Sequence, residues 1–172
     1  PVFSADREAQ DIMENEDDII AGIKSISGKD LYKNGSLNRT ELASIIFNNA
    51  TILKKVNSLV HPVVFDHFKK WTLIQSAPYV IMEAAILFES GASAVVDKIA
   101  TVVAPVEQRV KRVILRNRLS QEQVMERMRN QMDDEERIRK SDFVINNSEN
   151  DMIIPLILKI HNEILTFINT KS

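Results

Sequence analysis

Three short apolar runs constrain this chain most: Tyr79-Val80-Ile81-Met82, Ile99-Ala100-Thr101-Val102-Val103 and Phe143-Val144-Ile145. Each lacks the polar alternation of a half-exposed strand, so each reads as a strand covered on both faces, as in a parallel sheet. Helical patterns fill the intervals. Val106, Val110, Val113 and Ile114 fall at i, i+4, i+7 and i+8. Ser120-Gln121-Glu122-Gln123 opens a capping box ahead of Val124, Met125 and Met128, and Asp151 to about Ile168 reads as a closing amphipathic helix. Strands alternating with helices predict an α/β fold, a mostly parallel sheet with flanking helices.

The first half fits the same plan. Val2-Phe3 reads as the tail of a strand, with Ser4 or Asp6 capping a helix that begins near Arg7. The acidic run from Glu14 to Asp18 reads as a solvated helix end, and Lys33-Asn34-Gly35-Ser36 as a turn. Leu42, Ile45, Ile46, Leu53, Val56 and Val60 are spaced for one apolar helical face. His61-Pro62 should break that helix, because the residue before proline avoids the α region, and a second helix should start at Pro62 and run towards Gln75. No repeat and no Gly/Ser linker divides the chain, so a single domain over 1–172 is expected.

Composition removes several function classes. The 22 basic and 24 acidic residues give a formal charge of −2, against the broad basic footprint of a nucleic-acid binder. Zero cysteines exclude disulfides, thiolate zinc sites and cysteine nucleophiles, and suit a reducing cytosol. His61, His67 and His161 show no metal-ligand spacing, so no metal site is read from the residues, and no GxSxG elbow occurs. The PVFSADREAQ opening is not a leader peptide and no apolar run is long enough to span a bilayer, so a cytoplasmic protein with no membrane partner is expected. Opening on Pro1 rather than Met points to a processed or trimmed product. Oligomeric state has no signature in the sequence.

Glycine supplies a further exclusion. Four glycines in 172 residues is about 2%, against about 7% in average proteins. Gly28-Lys29 is the one Gly-Lys pair, but Ile23 stands where a GxxxxGKS/T loop needs its first glycine, and Asp30 where it needs a hydroxyl. These 172 residues therefore hold no phosphate-cradling loop.

Three features carry candidate chemistry. Asp6 follows a strand end, where open α/β sheets place their ligands, and a carboxylate there can take a proton from a substrate hydroxyl. A helix cap is the commoner explanation of such a residue. In YVIMEAAILFESG, Glu83 closes a strand and Glu89 sits just beyond, able to organise magnesium or a substrate hydroxyl, or else simply marking strand-to-loop polarity. The third feature is the arginine series Arg109, Arg112, Arg116, Arg118, Arg127, Arg129, Arg137 and Arg139. Guanidinium groups neutralise charge on a transferred phosphoryl group, although a basic stripe is more often a solvated face. The position of these arginines before the last strand suits a closing lid.

Taken in order, PVFSAD, KNGSLNRTELASIIF, LVHPVV, APYVIMEAAILFESG, APVEQRVKR with Arg116, and QMDDEERIRKSDFVINN resemble the dephospho-coenzyme A kinase family over nearly the whole chain. The resemblance implies a P-loop nucleoside-monophosphate-kinase-like fold. It also implies a first central strand and a P-loop, roughly 25 residues in all, that are absent from the 172-residue sequence. A truncated gene product or a trimmed polypeptide is expected, with a gap in its core and no activity of its own. The implied regions are a helical substrate-binding segment at about 36–76 and a helical lid at about 116–131.

Carried over by resemblance, Asp6 is the base or orienting group for the 3′-hydroxyl of dephospho-CoA, although Ser4 replaces the first Asp of the family's DAD-like motif. His61, Glu83 and Glu89 fall at substrate-side positions, Glu83 where Asp is common. Arg112 and Arg116 match the arginine-bearing helix facing ATP phosphates, Arg116 being the stronger catalytic candidate. Gln131 and Asp142 read as structural, and Asn146 replaces a family Asp. The implied function is ATP- and Mg2+-dependent phosphorylation of dephospho-CoA to CoA. The alternatives are a related kinase for another nucleotide-like acceptor and a non-catalytic α/β module.

Overall fold

In a computed structural model of the chain, strand β1 (Val2–Ser4) lies parallel to β4 (Ile81–Glu83), with Val2 opposite Ile81, Phe3 opposite Met82 and Ser4 opposite Glu83. The structure describes residues 1–47, 49–117, 120–129 and 131–171; at 47, 117, 127 and 171 the backbone alone is described. Contacts gather these residues into two units, Pro1–Ala85 and Ile86–Ser172.

In the first unit β1 runs directly into α1 (Ala5–Asn15), followed by α2 (Asp17–Ser27). A hairpin of β2 (Tyr32–Lys33) and β3 (Ser36–Leu37) comes next, then α3 (Arg39–Phe47) and α4 (Ala50–Leu73). Asn34 and Gly35 both take positive φ, 52° and 80°, as a two-residue hairpin turn requires. The Tyr32 hydroxyl donates to the Met13 carbonyl at 2.7 Å and ties the hairpin to α1. Burial, with Asp30 and Glu14 nearby, pushes that phenol up to about 12.

Phe3 anchors β1 to this unit's core. Its ring meets Phe68 edge-on at 5.3 Å and Trp71 at 5.5 Å, contacts worth about 0.5–1.5 kcal/mol each beyond simple burial. Gly22 lets α2 approach α4, since a Cβ there would stand 2.5 Å from a methyl carbon of Leu59.

Two local expectations are corrected here. The helix does not break at His61-Pro62; α4 runs through Pro62. Val56, Val60, Val64 and Phe68 are all buried and step by four residues across the proline, so the apolar stripe holds the helix together despite one lost backbone bond. The break falls earlier, where the Asn49 side chain accepts from the Thr51 and Ile52 amides and starts α4 afresh. The acidic run does lie at a helix end, exposed from Asn15 to Asp18 as expected. It spans the α1–α2 junction at Glu16, with Glu14 bound to Arg39 at 2.9 Å and Asp17 and Asp18 in the first turn of α2.

In the second unit β5 (Ala100–Val103) pairs in parallel with β6 (Phe143–Asn146). Between them lie α5 (Val106–Asn117), α6 (Gln121–Arg129) and α7 (Asp134–Lys140), and α8 (Ile153–Lys171) packs on β6. The expected capping box is present: the Gln123 amide donates to Ser120 Oγ, and the Ser120 amide to Gln123 Oε1. Asp142 clasps the start of the strand pair, accepting from the Ile99 amide at 2.8 Å and from Lys98 at 2.6 Å. Burial pushes its carboxyl up, but Lys98 and the Ile99 amide outweigh that and hold it below the usual range.

The α/β class with parallel strands and flanking helices is therefore observed, in the form of two parallel pairs and one antiparallel hairpin among the described residues. Cover on both strand faces is not. Ile81 and Val102 are 49% and 52% exposed, because β-branched residues favour strands on open faces as well as closed ones. No described helix is long and apolar enough to cross a membrane.

Replacing Pro62 by Ala restores an amide for the Ser58 carbonyl, and should stabilise the protein by about 1–3 kcal/mol in urea denaturation. A loss of stability would mean that the proline bend is needed for the packing of Val60 and Val64.

Candidate active site

Asp6 stands in the first turn of α1, two residues beyond the end of β1, and Glu83 is the last residue of β4. The parallel register brings these ends together at the carboxyl edge of the strand pair, where α/β folds present side chains to ligands. Ser4 Oγ donates to Glu83 Oε2 at 2.8 Å. Asp6 accepts from the backbone amide of Ala85. The residue is exposed as a whole, yet partial burial of its carboxyl, and then the like charge of Glu83, push Asp6 above the usual carboxylate range against the opposing pull of the Ala85 amide.

Of the proposed site residues, the structure joins Asp6 and Glu83. His61 sits half-buried in the middle of α4, its ring 6.2 Å from that of Phe65. No helix begins at His61; it is carried inside α4. His67, to which sequence gave no role, lies between acids: its Nδ1 is 2.7 Å from Glu8 and its Nε2 3.9 Å from Glu16.

In the second unit, Glu89 follows the turn after β4 and its Oε1 accepts from the Met132 amide at 2.6 Å, ahead of α7. Arg112 and Arg116 both lie exposed on α5. Arg112 donates to the Asn147 carbonyl at 2.9 Å and more weakly to Gln108 at 3.4 Å. Arg109 stands apart from Arg112 and Arg116: it is only 24% exposed and bonds Asp134 at 2.5 Å, and Arg137 shares the same carboxylate. These two arginines build an ion network between α5 and α7. Arg118 lies outside the described residues.

Gly28, of the rejected Gly-Lys pair, closes α2 with a left-handed φ of 67°, and Lys29 reaches Glu41 at 3.8 Å. Sequence reasoning missed the Ser4–Glu83 bond and the Met132 amide. A serine directly before a helix was the one available signal, and it pointed to a cap.

Comparison with known proteins fits this arrangement. A family model described as dephospho-CoA kinase matches residues 1–152. The chain belongs to the dephospho-CoA kinase family.

Within that family, the dephospho-CoA kinase of Bacteroides fragilis strain YCH46 is 38% identical over 161 residues, covering 93% of this chain and 78% of the relative. The dephospho-CoA kinase of Fusobacterium nucleatum is 34% identical over 149 residues, 87% of this chain and 77% of its own. Among solved structures, a Thermus thermophilus protein matches with a TM-score of 0.83 and 31% identity, over 95% of this chain and 83% of its own. The dephospho-CoA kinase of Campylobacter jejuni matches with a TM-score of 0.65 and 28% identity, over 96% and 85%. Membership of the family carries the enzyme reading with it, as the resemblance implied.

Because Asp6 is raised, its neutral form is the one the fold favours. Its contribution to stability is thus largest below the ordinary Asp value, about 3.9, and is lost as pH rises through the higher folded value. Asp6→Asn should leave the melting temperature at pH 7 equal to or above that of the parent, the gain shrinking towards pH 4. A lower melting temperature at pH 7, measured by calorimetry, would contradict this electrostatic assignment.

Proposed function

We propose that the chain serves ATP-dependent phosphorylation of the 3′-hydroxyl of dephospho-CoA, giving CoA and ADP in the cytoplasm. The fold is read as the P-loop nucleoside-monophosphate-kinase-like one. One observation carries the reading: in a dephospho-CoA kinase family member, an aspartate with a raised pKa stands at the carboxyl edge of a parallel strand pair, two residues past the strand.

The ionised Asp6 carboxylate takes the proton of the 3′-hydroxyl as its oxygen attacks the terminal phosphorus of ATP. A bond forms between that oxygen and phosphorus, the bond from phosphorus to the bridging oxygen breaks, and ADP leaves with the electron pair. A base raised above the usual carboxylate range accepts the proton more readily. His61, Glu83 and Glu89 are assigned to the acceptor side.

Arg112 and Arg116 are assigned to the ATP phosphates. Their exposed guanidinium groups have the charge and planar donor geometry that phosphate oxygens require. The Arg112 bonds to Asn147 and Gln108 already fix the direction of that side chain. For magnesium the fit is poorer. Among the described residues no group of three or more His, Asp or Glu side chains gathers as a metal cage. The ion would therefore enter with the nucleotide, held largely by phosphate oxygens and water.

Asp6→Asn in the full-length gene product should lower kcat for dephospho-CoA by about 10²–10⁴-fold, the usual worth of a positioned general base. The parent's rate should decline on the acid side above the ordinary Asp range. The Pro1–Ser172 polypeptide expressed alone should show no turnover, as it holds no GxxxxGKS/T loop. Full activity in the Asp6→Asn enzyme would remove Asp6 from the mechanism. A substrate panel in which another nucleotide-like acceptor is preferred would reassign the acceptor.

A further inference from the structure

We propose that Ser4 is a positioning residue, whose hydroxyl holds the Glu83 carboxylate beside Asp6 so that the two acids act as a pair. The inference deepens the reading of Asp6 as proton acceptor and rests on it.

Ser4 occupies the N-cap of α1 with extended backbone, φ −92° and ψ 103°. A serine there ordinarily returns its hydroxyl to an amide of the first helical turn, a bond worth about 1 kcal/mol. Ser4 makes no such bond. Its hydroxyl crosses instead to Glu83 Oε2, 79 positions away and directly opposite in the parallel register. The helix start forgoes its side-chain cap, and Glu83 gains a fixed orientation. One short stretch of chain then touches both ends of the motif: Glu83 holds Ser4, and the Ala85 amide holds Asp6.

The charge environment agrees with this geometry. Among the described residues, burial acts first on Asp6, and Glu83 is the charged neighbour that raises it. Glu83 is the one charged residue, among those described, behind the Asp6 shift. His67 of α4 is engaged by Glu8, Lys24 of α2 by Asp30, and β3 carries no charged residue. Glu83 therefore acts on Asp6 through its field, without itself needing to touch the acceptor. That effect is separable from any contact of Glu83 with substrate, whose loss would be felt mainly in KM.

The test uses the full-length gene product and two readouts. One is the pH profile of kcat/KM with dephospho-CoA; the other is the carboxyl-carbon NMR titration of Asp6, which does not depend on turnover. Glu83→Gln should move both the Asp6 midpoint and the acid limb to lower pH, because a like charge has gone. Ser4→Ala should move them the same way, since an unpinned Glu83 swings clear of Asp6, with KM changed by less than about twofold. Ser4→Thr, which keeps the hydroxyl, should restore the parent profile. In the Glu83→Gln background, Ser4→Ala should add nothing.

An Asp6 midpoint that is unchanged or higher in Ser4→Ala would overturn the proposal, as would a Ser4→Ala shift that persists without Glu83. Should the midpoint move as expected while Asp6→Asn stays active, the pairing holds and it is the proton-acceptor reading that fails.

Discussion

Parallel pairing of β1 with β4 is the contact on which the candidate site depends. β1 is three residues long, and successive strand residues point to opposite faces. Phe3 takes the inner face and packs on Phe68 and Trp71, while the residues either side of it face the other way. Ser4 is thereby presented to Glu83, and α1 begins at once, carrying Asp6 beyond the strand edge. Core and chemistry share one short segment. A change in the aromatic cluster would shift the seat of Asp6, and a change in register would turn Ser4 away from Glu83.

The electrostatics follow from that seat. A carboxylate close to a strand edge loses water, and a second carboxylate nearby makes ionisation costlier still. Both effects raise Asp6, and the Ala85 amide keeps the rise in check. The same arrangement that weakens Asp6 as a stabilising charge improves it as a base at neutral pH. Stability and proposed function therefore pull in opposite directions at this residue, as they commonly do where a site is built for reaction.

Much of this was legible in the sequence, for reasons that differ by element. The strands at β4, β5 and β6, the Asn34-Gly35 hairpin turn and the Ser120 capping box each follow from local residue chemistry and sit where the pattern placed them. Pro62 misled because propensity is local while the Val56, Val60, Val64 and Phe68 stripe is a tertiary fact. Helix α7 was missed as an element since its seven residues include only one large apolar side chain, Ile138. Asp6, Glu83, Glu89 and the arginines could be picked out by residue type and order. What order could not show was partnership: Arg109 given to Asp134, Glu89 to the Met132 amide, and Ser4 withdrawn from its helix to hold Glu83. Those are pairings across tens of residues, and one-dimensional spacing carries no record of them.

The most direct test of the account is a crystal structure of the full-length gene product with dephospho-CoA bound. The account predicts the ribose 3′-oxygen within hydrogen-bond reach of the Asp6 carboxylate, about 2.6–3.2 Å, with Ser4 still bonded to Glu83. A ribose seated elsewhere, with no substrate oxygen near Asp6, would contradict it.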